Sequence, residues 1–314
     1  MHIAVIGAGA VGGYYGAMLA RSGQQVSFVA RGAHLEAIRE RGLRIESESV
    51  GSFTVTAAAE SDAARIGPVD LVLFTVKTYD NATALQQIPP LLREDTIVLT
   101  LQNGVDSAGE VAAVAGERRT IAGAAYIATA VEAPGLIRQT GSHRRIVFGE
   151  CFGDVPAAAS ARVRAIEQVM KAADIHAEAV ADVRVPIWEK FVYLAPFAAF
   201  TGAARLPIGP IWTDPDGRAS FLAAVEEVAA VARASGVAVA PDLRQRIEDY
   251  TATIPPATRS SLLIDLSQGK RIEIESLAGS VVRRGAALGL PTPRMAALYA
   301  VLKPHAAGDR GPTR

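Results

Sequence analysis

Over roughly the first 180 residues, short apolar runs alternate with segments of helical period. The runs are IAVIG, QVSFVA, DLVLFTVK, TIVLTLQN, TIAGAAYI, RIVFGE and IHAEAV. Runs of four to eight β-rich residues separated by helical segments predict βαβ units and a mainly parallel sheet. One stretch breaks the alternation. In TAVEAPGLIRQTGSHRRIVFGE, Pro134, Gly135 and Gly141 separate short runs, which predicts a hairpin-like antiparallel addition at one edge of the sheet. Val163, Ile166, Val169 and Met170 then recur at helical spacing before IHAEAV, closing a first domain over residues 1–180.

After Asp182 the strand pattern disappears. Helical patterns occupy roughly 184–200, 214–235, 240–253, 258–267 and 273–288, with a last one after Pro293. Asp182 can cap the first of these helices, and Gly289 with Pro291 marks the end of the fifth. The chain is thus expected to be an α/β domain followed by an all-α domain over 181–306. Within the closing HAAGDRGPTR, residues 307–314 are expected to be a disordered tail.

Composition narrows the class. A length of 314 residues favours two cores over one. Lys plus Arg number 32 and Asp plus Glu number 32, so no global field exists to hold a polyanion or a membrane surface. Nucleic acid and membranes are therefore not expected as partners. Cys151 is a lone cysteine and the chain opens directly on a strand, which suits a reducing cytoplasm. The longest apolar region, 191–204, is shorter than a membrane span and contains Pro196 and Gly202. The five histidines show no metal-ligand spacing, and no G-x-S-x-G elbow occurs.

Candidate chemistry begins at the first strand. Gly7, Gly9 and Gly12 form G-x-G-x-x-G, with Ala8, Ala10 and Val11 between them, where a strand turns into a helix. In that context the first glycine permits the tight turn, the second lets backbone approach a pyrophosphate, and the third allows close helix–strand contact. The helix N-terminus offers N–H groups and partial positive charge to the phosphates. Strand two ends on Arg31 where a dinucleotide site commonly has an acid. An acid there would accept from the ribose hydroxyls and repel a phosphate, whereas an arginine offers forked donors to that phosphate. The expected cofactor is NADPH; the plain alternative is a solvated strand-end residue. Lys77 and Asn103 end two further strands on the same sheet edge and can face the nicotinamide half, or be a solvated charge and a turn residue.

In VPIWEKFVYLAPFAAFTGAAR, Lys190 is isolated among Trp188, Phe191, Val192 and Leu194. An ammonium on a largely apolar helix is paired, snorkelling or used. Its use in a reductase would be to neutralise the alkoxide that forms when hydride reaches a carbonyl carbon. In RSSLLIDLSQGKRIEIESLAG, Glu273 and Glu275 point to different faces, so one can reach a cofactor or substrate hydroxyl. Ser260 and Ser261 beside Arg259 suit a carboxylate, while their spacing alone favours helix capping, with Asp265 completing the local pattern.

These motifs in this order resemble the ketopantoate reductase family: IAVIGAGAVGGYYGAMLA, the arginine after VSFVA, VKTYD, LQNGVD, WEKFVYLAPFAAFTGAARLPIG and SSLLIDLSQGKRIEIESLAGSVVRRGAALGLPTP. The resemblance implies an N-terminal Rossmann-type NADP-binding domain and a helical C-terminal domain like that of phosphogluconate dehydrogenases, with the active site in the cleft between them. It implies NADPH-dependent reduction of ketopantoate to pantoate, with Lys190 as the catalytic lysine, Glu273 as a glutamate at the cleft and Ser261 binding the substrate carboxylate. Cofactor positions would fall on residues 7–12, Arg31, Lys77, Asn103 and the backbone near Thr129. The chain departs from the family's pattern at two positions. Asparagines expected one and two turns after the lysine are here Leu194 and Ala198, which opens the reading of a reductase for another 2-oxo acid or carbonyl. A non-catalytic NADPH-binding sensor and a homodimer through the helical domain are further readings.

Overall fold

The computed structural model describes residues 1–154 and 157–309. The chain divides into two compact units, one of residues 1–102 and 107–183, the other of residues 103–106 and the chain from Arg184 onward.

The first unit opens with β1 (His2–Ile6), α1 (Ala10–Arg21), β2 (Gln25–Val29) and α2 (Gly32–Arg41). Next come β3 (Leu43–Ser47), β4 (Gly51–Val55), β5 (Ala58–Glu60), β6 (Leu71–Phe74), α3 (Asn81–Ala84) and β7 (Ile97–Thr100). α4 (Ser107–Ala115), β8 (Thr120–Ala133), β9 (Leu136–Gly149), α5 (Ala161–Ala172) and β10 (His176–Val180) complete it. The ten strands form one sheet in the order β4-β3-β9-β8-β7-β6-β1-β2-β5, with β10 also pairing β9. β1 lies between β2 and β6 and runs parallel to both. The chain therefore leaves β1 toward one side of the sheet and later returns on its other side, which makes a topological switch point at the carboxyl ends of β1 and β6.

Side-chain parity explains why these strands are continuously apolar. Ile3 and Val5 of β1 enter a core with Tyr14, Leu19 and Phe28, while Ala4 and Ile6 enter a second core with Val72, Phe74 and Ile88. Both sheet faces are covered, so a polar residue has no place at any of these positions. On α1 small residues set the spacing: a side chain at Gly16 would run into the Phe28 ring.

The hairpin expected at a sheet edge is real but internal. β8 and β9 are antiparallel around Pro134 and Gly135, yet β9 has further neighbours on its outer side. Its first half, from Leu136 to Gln139, pairs β3 in parallel, and its second half, from Arg145 to Gly149, pairs β10. A fourteen-residue strand is long enough to hold a different partner along each half. β3, β4 and β5 were not among the expected strands.

The second unit holds α6 (Arg184–Ala204), α7 (Ile208–Thr213), α8 (Pro215–Ala234), α9 (Leu243–Thr253) and α10 (Ser261–Ser267). A π-helical turn, Glu275–Gly279, then leads into α11 (Ser280–Ala287), and α12 (Pro293–Leu302) comes last. The all-α expectation agrees with this unit, although α7 was not foreseen. α6 runs through its core, burying Phe191, Val192 and Ala195 among Phe221, Val225, Leu262 and Leu277. No helix among the described residues is long and apolar enough to cross a membrane. Of the segment 307–314 expected to be disordered, residues 307–309 are described: Gly308 N–H donates to His305 O and Asp309 N–H to Gly269 O, each at 3.0 Å. Residues 310–314 lie outside the described residues.

Candidate active-site residues

In the first unit the switch point gathers the glycine loop and the chain leaving β6. Gly7 has φ +94°, a left-handed conformation that favours glycine, and a Cβ there would meet Val76 N at 2.7 Å. A Cβ at Gly12 would collide with Thr75 Oγ1, so α1 can approach β6 only without one. Thr75 Oγ1 donates to Gly7 O at 2.9 Å and to Ile6 O at 3.1 Å, tying the two strand exits together. Gly9 differs from both. It is the N-cap of α1, no side chain caps the helix there, and a Cβ at Gly9 would meet nothing within 4 Å. The open position is therefore beside the first turn formed by Ala10, Val11 and Gly12, with buried Ala8 completing the loop. Free space at a helix N-terminus is what a pyrophosphate needs, so these residues fit a dinucleotide.

Sequence reasoning missed a support for this loop. His34 on α2 accepts at Nδ1 from Gly135 N–H at 3.1 Å, and its Nε2 lies 2.7 Å from Ala8 O. Because Nδ1 accepts, the proton belongs on Nε2, which donates to Ala8. One imidazole thus joins the glycine loop to the β8–β9 turn. Its partners are backbone groups, one of them 101 residues away in sequence, which no motif announces.

Arg31 is exposed at the end of β2 and pairs with Asp80 at 2.8 Å, so an acid stands beside the arginine after all, supplied by VKTYD. Lys77 leaves β6 as the N-cap of the short 3-10 turn Thr78–Asp80 and is half-buried. Thr129 pairs Gln139 in the β8–β9 ladder, beyond Ala122, the last residue of β8 that pairs with β7. This part of the hairpin lies on the side of the glycine loop: Ile137, opposite Val131, packs where a Cβ on Gly13 would stand.

In the second unit Lys190 meets the segment 103–106. Its Nζ donates to Asn103 Oδ1 at 3.0 Å. Burial lowers the amine to about 8, and the charge of Glu273 acts against that fall. Glu273 is itself 6% exposed and lies two residues before the π-helical turn, whose N-cap is Ile274. That turn also supplies a residue the sequence did not suggest: Ser276 Oγ donates to Glu273 O at 3.2 Å, and Ser276 O lies where a Cβ on Gly104 would come within 2.9 Å. Gly104, at φ +98°, lets the loop after Asn103 settle against the turn. π turns inside helices recur at functional sites because they redirect side chains.

Ser260, expected to bind a substrate carboxylate, does other work. It is 2% exposed and caps α10, accepting from Leu263 N–H at 3.0 Å, while its hydroxyl lies 2.7 Å from Thr201 Oγ1. Thr201 in turn donates to Phe197 O at 2.7 Å. The protons fall into one order, Leu263 N–H to Ser260, Ser260 to Thr201, Thr201 to Phe197, and no donor remains for a ligand. Ser261 is exposed at the first turn of α10. Leu194 and Ala198 come one and two turns after Lys190 on α6, the first half-buried and the second 1% exposed.

Comparison with known proteins identifies the family of the chain. The model of the N-terminal domain described as "Ketopantoate reductase PanE/ApbA" matches residues 3–152, and that of the family's C-terminal domain matches residues 182–306. The chain belongs to the ketopantoate reductase family. It is 33% identical to a 2-dehydropantoate 2-reductase of Mesorhizobium japonicum, with 99% of both chains covered. It is 27% identical to an uncharacterized oxidoreductase, YkpB, of Bacillus subtilis, covering 98% of this chain and 99% of that one. The crystal structure of a PanE/ApbA family ketopantoate reductase from Ralstonia eutropha JMP134 superposes with TM-score 0.89 at 35% identity over 98% of each chain. This ketopantoate reductase family member is accordingly an oxidoreductase of the kind acting on CH–OH groups, with an NAD(P)-binding Rossmann-type fold in its first unit.

Proposed function

We propose that this protein reduces the ketone of a 2-oxo acid to the 2-hydroxy acid with NADPH, and that 2-dehydropantoate, the substrate in the relatives' names, is the reference member of that substrate class. One observation carries the reading: the buried Lys190 amine held at 3.0 Å by Asn103 and faced by Glu273, in a chain whose other unit has an open glycine loop. The nicotinamide, when bound, supplies the hydride. Residues 7–12 would take the pyrophosphate, Arg31 the 2′-phosphate, and Lys77 and Asn103 the neighbourhood of the nicotinamide half. Lys190 in its ammonium form gives a proton to the carbonyl oxygen as that oxygen gains charge, and the neutral amine left behind recovers a proton from water. Asn103 Oδ1 orients the ammonium. Glu273 stabilises its charge and offers an acceptor to a substrate or ribose hydroxyl, and Ser261 offers a donor to the substrate carboxylate. The protein would act in the cytoplasm in pantothenate synthesis.

The test is NADPH oxidation followed by absorbance with 2-dehydropantoate and a panel of branched 2-oxo acids. Lys190→Ala should lower kcat by about 10²–10⁴-fold, the range for loss of a positioned acid. Unchanged turnover would remove the lysine from the chemistry, and binding of NADPH with no turnover on any oxo acid would make the protein a sensor. A second reading, reduction of a 2-oxo acid other than 2-dehydropantoate, is favoured by Leu194 and Ala198, which offer no amide to a substrate hydroxyl.

A further inference from the structure

The Lys190–Asn103 hydrogen bond joins two segments far apart in sequence, and each is gripped by the same residue. Arg284, in the last turn of α11, donates to Asp106 Oδ1 from Nε at 3.0 Å and from Nη2 at 2.5 Å. The same guanidinium lies over the Trp188 ring, its Cζ 5.6 Å from the centroid. Asp106 comes one short turn of loop after Asn103, and Trp188 precedes Lys190 on α6. Trp188 is 6% exposed and sits edge-on to Phe191, so it is a firm base. Asp106 and Arg284 are both partly exposed, which makes the pair a weak source of global stability. Its geometry is nonetheless specific, because two donors converge on one oxygen while the flat cation rests on an aromatic face.

We infer that Arg284, through Asp106 and Trp188, is the positioning residue that holds Asn103 in register with Lys190. The inference rests on the reading of Lys190 as the acid. Arg284 acts through the chain neighbours of Lys190 and Asn103, and so sets where their backbones stand. A lysine at 284 keeps the charge and loses both the fork and the flat face, so charge alone does not replace it.

The experiment uses the full chain carrying Asp106→Asn, Arg284→Ala, Arg284→Lys and the double variant Asp106→Asn/Arg284→Ala, with Lys190→Ala in parallel. Folding is checked by circular dichroism. Three quantities are read: kcat, KM for the nucleotide, and the titration of the Lys190 amine by NMR of lysine labelled at Cε. The inference expects Asp106→Asn and Arg284→Ala each to lower kcat by about tenfold or more with nucleotide KM within about twofold of wild type. The double variant should be no worse than either single one, as for two residues acting as a unit. The Lys190 titration should move by half a pH unit or more, and Arg284→Lys should recover only part of kcat. Wild-type kcat in Asp106→Asn overturns the inference, and so does a lowered kcat with an unmoved lysine titration, which would leave the pair as a fold contact. If Arg284→Ala does not fold, the isosteric Asp106→Asn decides alone. Full turnover in Lys190→Ala would instead overturn the reading beneath it, an outcome distinct from all of these.

Discussion

At the scale of single residues, the proposed acid Lys190 would set the pH behaviour. Its amine titrates near 8 because burial disfavours the charged form, with the charge of Glu273 opposing. An acid must be protonated to act, so kcat/KM for oxo-acid reduction should be level below that value and fall about tenfold per unit above it. Oxidation of the hydroxy acid needs the neutral amine and should rise over the same window. A reduction profile flat to pH 10 would show that another group gives the proton. Lys190 stood out in the sequence because a lone basic residue in an apolar run is an anomaly that demands a partner. Its partner Asn103 was legible only as a polar strand end. His34 was not legible at all, because an imidazole that bridges two backbone groups leaves no spacing to read.

Secondary-structure elements were most legible where both faces are buried. β1 and β6 announce themselves as unbroken apolar runs because helices cover the sheet on either side. β3 alternates instead, with Leu43 and Ile45 buried and Arg44 exposed, and its length of five residues gives the alternation little room. That alternation was the available signal. α7 has six residues, including Gly209 and Pro210, too few for a periodicity to register. Along α6, the positions one and two turns beyond Lys190 are apolar, and the one hydroxyl further on, Thr201, is committed to Phe197 and Ser260. A substrate hydroxyl buried beside Leu194 would lose its water partners without gaining others. Leu194→Asn should therefore shift the ratio of kcat/KM for 2-dehydropantoate over 3,3-dimethyl-2-oxobutanoate, the same skeleton without the hydroxyl, by about tenfold toward the former. An unmoved ratio would place the distal end of the substrate away from this helix face.

For the molecule as a whole, equal numbers of acidic and basic side chains leave no net field at neutral pH. Any charge-based choice between nucleotides must then be local, and the proposed place for it is Arg31, which pairs with Asp80. Rising salt should raise KM for NADPH more than KM for NADH, because screening acts on the 2′-phosphate contact in addition to the pyrophosphate contact that both nucleotides share. Arg31→Ala should erase that difference, and equal salt responses in the wild type would take Arg31 out of cofactor choice. The division into an α/β half and a helical half was readable from the change of period after Asp182. The membership of residues 103–106 was not, since they come directly after β7 in the chain yet group with the helices. A tether of four residues decides this, and only its packing against Lys190, Ser276 and Arg284 reveals it.

That allegiance bears on how such chains can be recombined. A chimera spliced between two relatives near residue 183 would inherit Asn103 and Asp106 from one parent and the ammonium and guanidinium they serve from the other. Crossovers at that obvious seam should yield folded but sluggish hybrids, and transplanting the tetrapeptide 103–106 together with the helices should restore them.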